Sequence, residues 1–223
     1  MKAFILAAGF GTRLKPLTDK LPKALVNFRG EPMINYQIKK LKKLGFDEII
    51  VNAYHFSDLI IDYFNYADLG INIKVIVEKE ILGTGGGILN AKKYLKSEDF
   101  FLVVNVDVYT SFNFRKIIEY HKSNNNMVTL GVQRRETKRH LEFDKNMNLI
   151  RRENDKSDKK SLYAFNGIHI ISNKIFDYKY KIEYNDIIDI YMDLIKKEEV
   201  IKGFNIGKSK FQDLGKIDSL RNF

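Results

Sequence analysis

The 223-residue chain contains no cysteine. Disulfides, thiol nucleophiles and thiolate-bound metals are therefore excluded. Histidine is scarce: His55, His121, His140 and His169 lie scattered, with no pair at metal-ligand spacing. Each reads as a structural or surface residue. Any metal site must then be built from oxygen ligands, which suits magnesium-like ions. Proline is confined to Pro16, Pro22 and Pro32. No apolar run approaches the roughly 18 residues that suggest a membrane span. The apolar start stops at Gly9, and a Gly-rich loop with Arg13 and Lys15 follows, so it reads as a buried strand and not a signal peptide. A cytoplasmic protein is the default expectation. There is no internal repeat and no low-complexity tail.

What is abundant is positive charge. Lys and Arg number 38 against 28 Asp and Glu, a formal net charge of +10. Such a balance attracts nucleic acid, anionic membranes or small polyanions. Here the lysines run along amphipathic segments such as IKKLKKL and are not interleaved with aromatics in a recognisable module. A solvated basic surface is the simpler reading, with no nucleic acid and no membrane as partner. Hydrophobic content of 44% with 30% charged residues describes an ordinary globular chain, long enough to bury a substantial core.

Strand and helix patterns alternate through the first half. Strands are expected at 2–8, 48–54, 71–77, 100–106 and 127–132. Helices are expected at 34–44, from Ser57 to about 67, at 87–95 and at 114–123. This alternation predicts right-handed crossovers and a three-layer α/β, Rossmann-like, mostly parallel sheet. After about residue 133 the pattern changes. A hairpin is expected from 141–143 and 148–152, a polar and mobile loop at 154–161, a strand at 162–171, a helix at 186–197, a strand at 200–206 and a last helix at 216–223. The expected organisation is one domain: a nucleotide-binding core over 1–133, a small α+β lid-like insertion over 134–165, and a sugar and metal side over 166–223. Ligands of such sheets bind beyond the carboxyl ends of the strands, where strand order reverses.

Chemistry concentrates at those ends. The first strand runs into Gly9-Phe10-Gly11-Thr12-Arg13. Two glycines let backbone N–H groups approach an anion, and Arg13 adds a planar fork for phosphate oxygens. A purely structural turn would use the same glycines. The following KPLTDKLPKALV is stiffened by proline, so it can hold Lys23 over the same strand end. A second glycine run, LGTGGG from Leu82 to Gly87, opens a helix, either to expose amides to a ligand or to allow close packing. Asp107, at the end of a strongly apolar strand, is costly to bury unless ionically satisfied and is a metal-ligand candidate.

Together these segments resemble the sugar-1-phosphate nucleotidyltransferase family, whose signature LAAGxGTRLxPLTxxxPKxLV this chain matches as LAAGFGTRLKPLTDKLPKALV over some twenty contiguous positions. The resemblance implies a GT-A-like fold and a nucleoside triphosphate and a sugar-1-phosphate as substrates, with Mg2+ as cofactor. By the same resemblance, Leu6, Ala8, Gly9, Gly11, Thr12, Arg13, Glu78, Gly83 and Asn105 contact the nucleotide. Arg13 and Lys23 act on the phosphates, and Asp107 is catalytic as a magnesium ligand. Phe211-Gln212-Asp213-Leu214-Gly215-Lys216 is similar to the family's W-x-D-[IV]-G-T, making Asp213 the second metal ligand, although an aspartate capping the last helix would look the same. Gly86, Glu153, Asn166 and Gly167 fall on the sugar side.

Three departures stand out: Val106 replaces the usual glycine of NGD, Lys216 the threonine, and Glu153-Asn154 the glutamate-lysine-proline element. The glycine run is most similar to that of muramic-acid uridylyltransferases and mannose- or heptose-phosphate guanylyltransferases. A cytidylyltransferase for a non-sugar phosphate such as phosphocholine and a catalytically silent nucleotide-binding module are the competing readings. The pattern specifies neither base, sugar nor assembly state. No appended hexapeptide-repeat β-helix is expected.

Overall fold

The computed structural model describes residues 1–221. In chain order the strands and helices are β1 (Lys2–Leu6), β2 (Asn27–Phe28), β3 (Glu31–Pro32), α1 (Met33–Lys43), β4 (Glu48–Ala53), α2 (Ser57–Tyr66), β5 (Asn72–Val77), α3 (Gly83–Asn90) and α4 (Lys92–Leu95). There follow β6 (Phe100–Asn105), β7 (Val108–Thr110), α5 (Phe114–Asn124), β8 (Val128–Gln133), β9 (His140–Phe143), β10 (Leu149–Arg152), β11 (Leu162–Ser172), α6 (Ile187–Lys196), β12 (Ile201–Asn205), β13 (Phe211–Asp213) and α7 (Ile217–Arg221). The last helix expected at 216–223 is thus seen to Arg221; residues 222–223 lie outside the described residues.

The main sheet reads β5-β4-β1-β6-β11-β8-β12. β5, β4, β1 and β6 pair in parallel, β11 runs against both β6 and β8, and β12 is again parallel to β8. Along this path only β11 is reversed, so the sheet is mostly parallel. The hairpin β9–β10 joins through β9, which pairs with Leu162–Ala164 of β11. β8 lies on one side of β11, while β9 and β6 share the other, separated by a register shift between Phe165 and His169. Residues 134–165 therefore extend the sheet and are stitched into it.

Why the layers form is visible in β1. Phe4 faces a core shared with Ile88, Tyr191 and Leu194 of α3 and α6; Ala3 and Ile5 face a second core with Ile34, Ile38, Ile60 and Ile117 of α1, α2 and α5. Alternating side chains buried on both faces make this strand apolar throughout, as a central parallel strand requires. The chain passes from β1 to β4 and β5 on one side and then crosses to β6 on the other. Strand order reverses between β1 and β6, where Leu6 lies opposite Asn105.

Several boundaries differ from the sequence expectation for physical reasons. The helix expected at 87–95 begins at Gly83 and breaks at Ala91, so the glycine run lies inside α3. Ser57 does not cap α2; that position is held by Phe56 in a left-handed conformation. The loop at 154–161 is tied down: Ser157 donates to Glu142, Asp158 caps a 3-10 turn at Lys159–Ser161, and Arg134 donates to the Lys160 carbonyl. Two small antiparallel sheets, β2–β3 and β7–β13, were not expected at all.

Candidate active site

A cleft of about 1060 Å³ opens over the carboxyl ends of β1 and β6, its lining including Leu6, Arg13, Asn105, Asp107, Glu153 and Ile187. It sits at the upper end of the roughly 300–1,000 Å³ of small-molecule sites, enough for two ligands side by side.

The loop after β1 turns at Gly11, whose φ of 66° favours glycine and whose Cβ, if present, would come within 2.9 Å of Thr18 Cγ2 and 3.1 Å of Lys23 Cβ. The Thr18 hydroxyl donates to the Gly11 carbonyl at 2.9 Å, and the N–H of Leu14 donates to the same oxygen. Gly9 is exposed, with nothing within 4 Å of where a Cβ would stand, Ala8 is buried, and Thr12 begins the 3-10 turn that presents Arg13. The proline-bounded segment then returns Lys23 beneath this loop.

The charged centre is assembled from three parts of the chain. Lys23 Nζ forms a buried ion pair with Asp107 Oδ2, and Arg13 Nη1 lies 3.2 Å from Asp213 Oδ2. β13 brings Asp213 beside Val108 of β7, and Leu214 N–H donates to the Asp107 carbonyl at 2.8 Å. A Cβ on Gly215 would lie within 2.7 Å of Asp213 Oδ1, 2.8 Å of Arg13 Nη2 and 2.8 Å of Asp107 Oδ2, so all three groups converge on one glycine. Burial raises the pKa of Asp107, as does the neighbouring Asp213 carboxylate, while the Lys23 ammonium opposes them. Burial also works against ionisation of Asp213, but the Gly215 N–H and Arg13 hold its carboxyl below the usual range. The two carboxylates thus sit close enough to compete for a proton, and two protein cations hold them together.

Val106 is accommodated in the core facing α1 and α5, its N–H donating to the Leu6 carbonyl, so the branched side chain points away from the Asp107 carboxylate. Lys216 lines the cleft directly after Gly215.

On the far side of the cleft, Gly167 has a φ of 65°, and a Cβ there would come within 2.7 Å of Asn105 Nδ2. The glycine lets Asn105 stand at the cleft. Asn166 accepts from Arg135 Nε at 3.0 Å, and Arg135 also donates to the Phe165 carbonyl and stacks on Phe211 at 4.4 Å. Glu153 faces His140 Nδ1 at 2.9 Å. Arg135 escaped the sequence reading because it follows β8 in a stretch of mixed charge with no motif around it.

Three of the residues expected to contact ligands, Glu78, Gly83 and Gly86, also have structural duties here. Glu78 is buried, accepting from Asn52 Nδ2 at 2.7 Å and from Leu82 N–H at 3.1 Å, while Asn52 accepts from Ala7 N–H. It is a strut between the first loop and the start of α3; burial raises its pKa, and those two donors oppose the rise. Gly83 and Gly86 lie under residues 183–185: the Gly85 N–H donates to the Asn185 carbonyl, and a Cβ on Gly86 would strike the carbonyl oxygen of Glu183. Close packing accounts for this glycine run.

A model of the nucleotidyl transferase family matches residues 2–223. The chain belongs to that family. It is 40% identical over 136 residues to a probable mannose-1-phosphate guanylyltransferase 1 of Oryza sativa subsp. japonica, a match covering 59% of this chain and 38% of the relative. The chain therefore aligns with well under half the length of the curated relatives it matches. Among solved structures, HddC from Yersinia pseudotuberculosis complexed with GMP-PN superposes with a TM-score of 0.79 at 28% identity, covering 99% of this chain and 96% of that one. A putative glucose-1-phosphate thymidylyltransferase from Bacillus anthracis gives a TM-score of 0.85 at 23% identity, covering 100% and 93%. That second likeness establishes the shared family fold. Among the described residues no helix is long and apolar enough to cross a membrane.

Proposed function

We propose that the chain joins a sugar-1-phosphate to a nucleoside monophosphate unit taken from a triphosphate, releasing pyrophosphate. The observation that carries this reading is the convergence of the Lys23–Asp107 and Arg13–Asp213 pairs beneath an amide-rich loop at the strand-order reversal. Family membership and the guanylyltransferase name of the rice relative support it.

The chemistry asks little of the protein beyond positioning and charge. An oxygen of the sugar phosphate attacks the α-phosphorus, and the bond to the β-phosphate oxygen breaks in line. The attacking oxygen is already ionised at neutral pH, so neither a general base nor a protein nucleophile is needed. Arg13 and the amides of residues 9–12 hold the departing β- and γ-phosphates; Lys23 neutralises charge growing at the α-phosphate. Asn105 stands on the nucleotide side, and Asn166 and Gly167 bound the sugar side.

Asp107 and Asp213 suit a magnesium ion: two hard carboxylates leave the remaining positions to water and phosphate oxygens. Among the described residues no third acidic or histidine ligand stands with them. When bound, such an ion supplies Lewis-acid neutralisation of the α-phosphate. The protein's part is to hold the two carboxylates converged: Lys23 faces Asp107, while Arg13 and the Gly215 N–H favour the ionised form of Asp213.

A matrix of four triphosphates against several sugar-1-phosphates and phosphocholine, read by pyrophosphate release, tests the reading. GTP with mannose 1-phosphate is the first pair to try. Release with a sugar phosphate is expected, and silence across the matrix overturns it. Asp107→Asn should cut turnover by at least about a hundredfold while leaving the circular dichroism spectrum unchanged.

A further inference from the structure

Among the described residues, four buried side-chain polar atoms have no hydrogen-bond partner, and two of them, Asn166 Nδ2 and His169 Nε2, belong to residues of one strand, β11, that line the cleft. A buried polar group without a partner costs about 1–3 kcal/mol and calls for an explanation. The other two, Gln37 Oε1 and Asn126 Oδ1, belong to residues that do not line the cleft. The smaller cavity beside α1 and α5 is lined by Lys40, Lys43 and Arg115, but Lys40 already donates to the Thr110 carbonyl at 2.6 Å.

His169 is set up with some care. It is 1% exposed and stands where β11 resumes pairing after its register shift. Its Nδ1 lies 2.5 Å from the hydroxyl of Tyr191, which is itself fully buried on α6. Among the described residues the tyrosine hydroxyl has no other partner, so it is best satisfied by donating its one hydrogen to Nδ1. That fixes the neutral tautomer carrying its proton on Nε2. Burial pushes the imidazole pKa down to about 3, so the ring is uncharged at working pH. Phe165 packs edge-on against it at 5.2 Å and holds its plane. The result is a neutral donor on a residue that lines the cleft, as Phe165 and Ile187 also do. Asn166 is oriented in the same manner: Arg135 takes its oxygen, leaving the amide hydrogens over.

We propose that His169, oriented by Tyr191, is a specificity-determining residue that donates from Nε2 to an uncharged oxygen of the sugar ring, a hydroxyl or an acetamido carbonyl. The proposal rests on the sugar-1-phosphate reading above. A neutral donor rewards an oxygen without attracting a second anion, so it selects among sugars and contributes nothing to phosphate binding. Sites built to bond a substrate hydroxyl reject analogues lacking it far more strongly than apolar pockets reject a missing methylene.

The test uses the sugar-1-phosphate that turns over best among glucose, mannose and N-acetylglucosamine 1-phosphates, together with its monodeoxy or deacetylated analogues. His169→Phe should raise KM for the sugar phosphate about tenfold or more, with KM for the triphosphate unchanged. Wild type should lose a similar factor on one analogue, and His169→Phe should be indifferent to that same change. His169→Asn, which restores a donor, should recover part of the loss. Long-range nitrogen NMR of the wild type should show the proton on Nε2 of His169. In Tyr191→Phe the two tautomers should mix, and KM for the sugar phosphate should rise by a smaller factor.

Unchanged KM and sugar ranking in both His169 variants, or a wild-type ring protonated on Nδ1, would overturn the proposal. The NMR reading stands even if His169→Phe fails to fold. Turnover of phosphocholine but of no sugar phosphate would instead remove the functional reading itself, and the proposal with it.

Discussion

At the scale of single residues, the site depends on where a side chain is forbidden as much as on where one is present. Gly86 and Gly9 come from the two glycine-rich stretches of the sequence but should respond in opposite ways. A Cβ at Gly86 would strike the Glu183 carbonyl, whereas nothing lies within 4 Å of one at Gly9. Gly86→Ala should therefore destabilise the fold by about 1–3 kcal/mol, the usual cost of overpacking, as a drop in urea midpoint. Gly9→Ala should leave the midpoint unchanged and raise KM for the triphosphate. Lys23 makes a second case. Removing it leaves Asp107 buried beside Asp213 with no ammonium to offset either charge. Lys23→Ala should cost about 3 kcal/mol in chelator, in line with broken buried pairs. Magnesium should restore part of that loss, and thermal melts with and without the ion provide the check.

At the scale of elements, the sequence was legible wherever burial is periodic. β1, β4, β6, α1 and α5 announce themselves because each packs an uninterrupted apolar face or both faces of a strand. Arg13, Lys23 and Asp107 of the charged centre were legible because they belong to one stiff loop and one strand end. What was not legible comes from long-range contact. Glycine is a poor helix former, so no local rule extends α3 back over Gly83 to Gly86; the close approach of residues 183–185 does. β7 and β13 are three residues each and exist only because they pair with one another. Arg135, His169 and Tyr191 carry no motif, and their relation appears only when β11 and α6 are packed. The α5–β8 contact also carries a pH dependence. His121 is buried against Thr129 Oγ1 at 2.9 Å, and burial lowers its pKa from the ordinary 6.5 to about 4. Between those values the unfolded chain binds more protons than the native one, so stability falls as pH drops from 6.5 towards 4. The full contribution is on the order of 3 kcal/mol, at about 1.36 per unit. His169 acts in the same direction. Urea midpoints at pH 7 and pH 4.5 should differ in this sense, and His121→Gln should flatten the profile.

At the scale of the whole molecule, the surplus of ten positive charges acts on arrival of the substrates. On the proposed reading both are polyanions, and the cleft gathers Arg13, Arg135, Lys138, Arg139, Arg152 and Lys216 along its walls against Asp107, Glu136, Glu153, Asp186 and Asp213. Raising salt should lower kcat/KM for the triphosphate several-fold while kcat changes little, because screening weakens long-range attraction more than contacts already made. Stopped-flow or initial-rate measurements across ionic strength would show it.

The short β7–β13 ladder has one further consequence, in time. Asp107 and Asp213 are brought together by three residue pairs that bridge about a hundred residues of intervening chain, whereas the strands from β5 to β12 pair over four to six residues each. Closing so large a loop is entropically costly and yields few contacts in return. On dilution from denaturant the sheet should therefore form first and the second carboxylate arrive afterwards. A lag between recovery of circular dichroism and recovery of turnover would be the signature of that order.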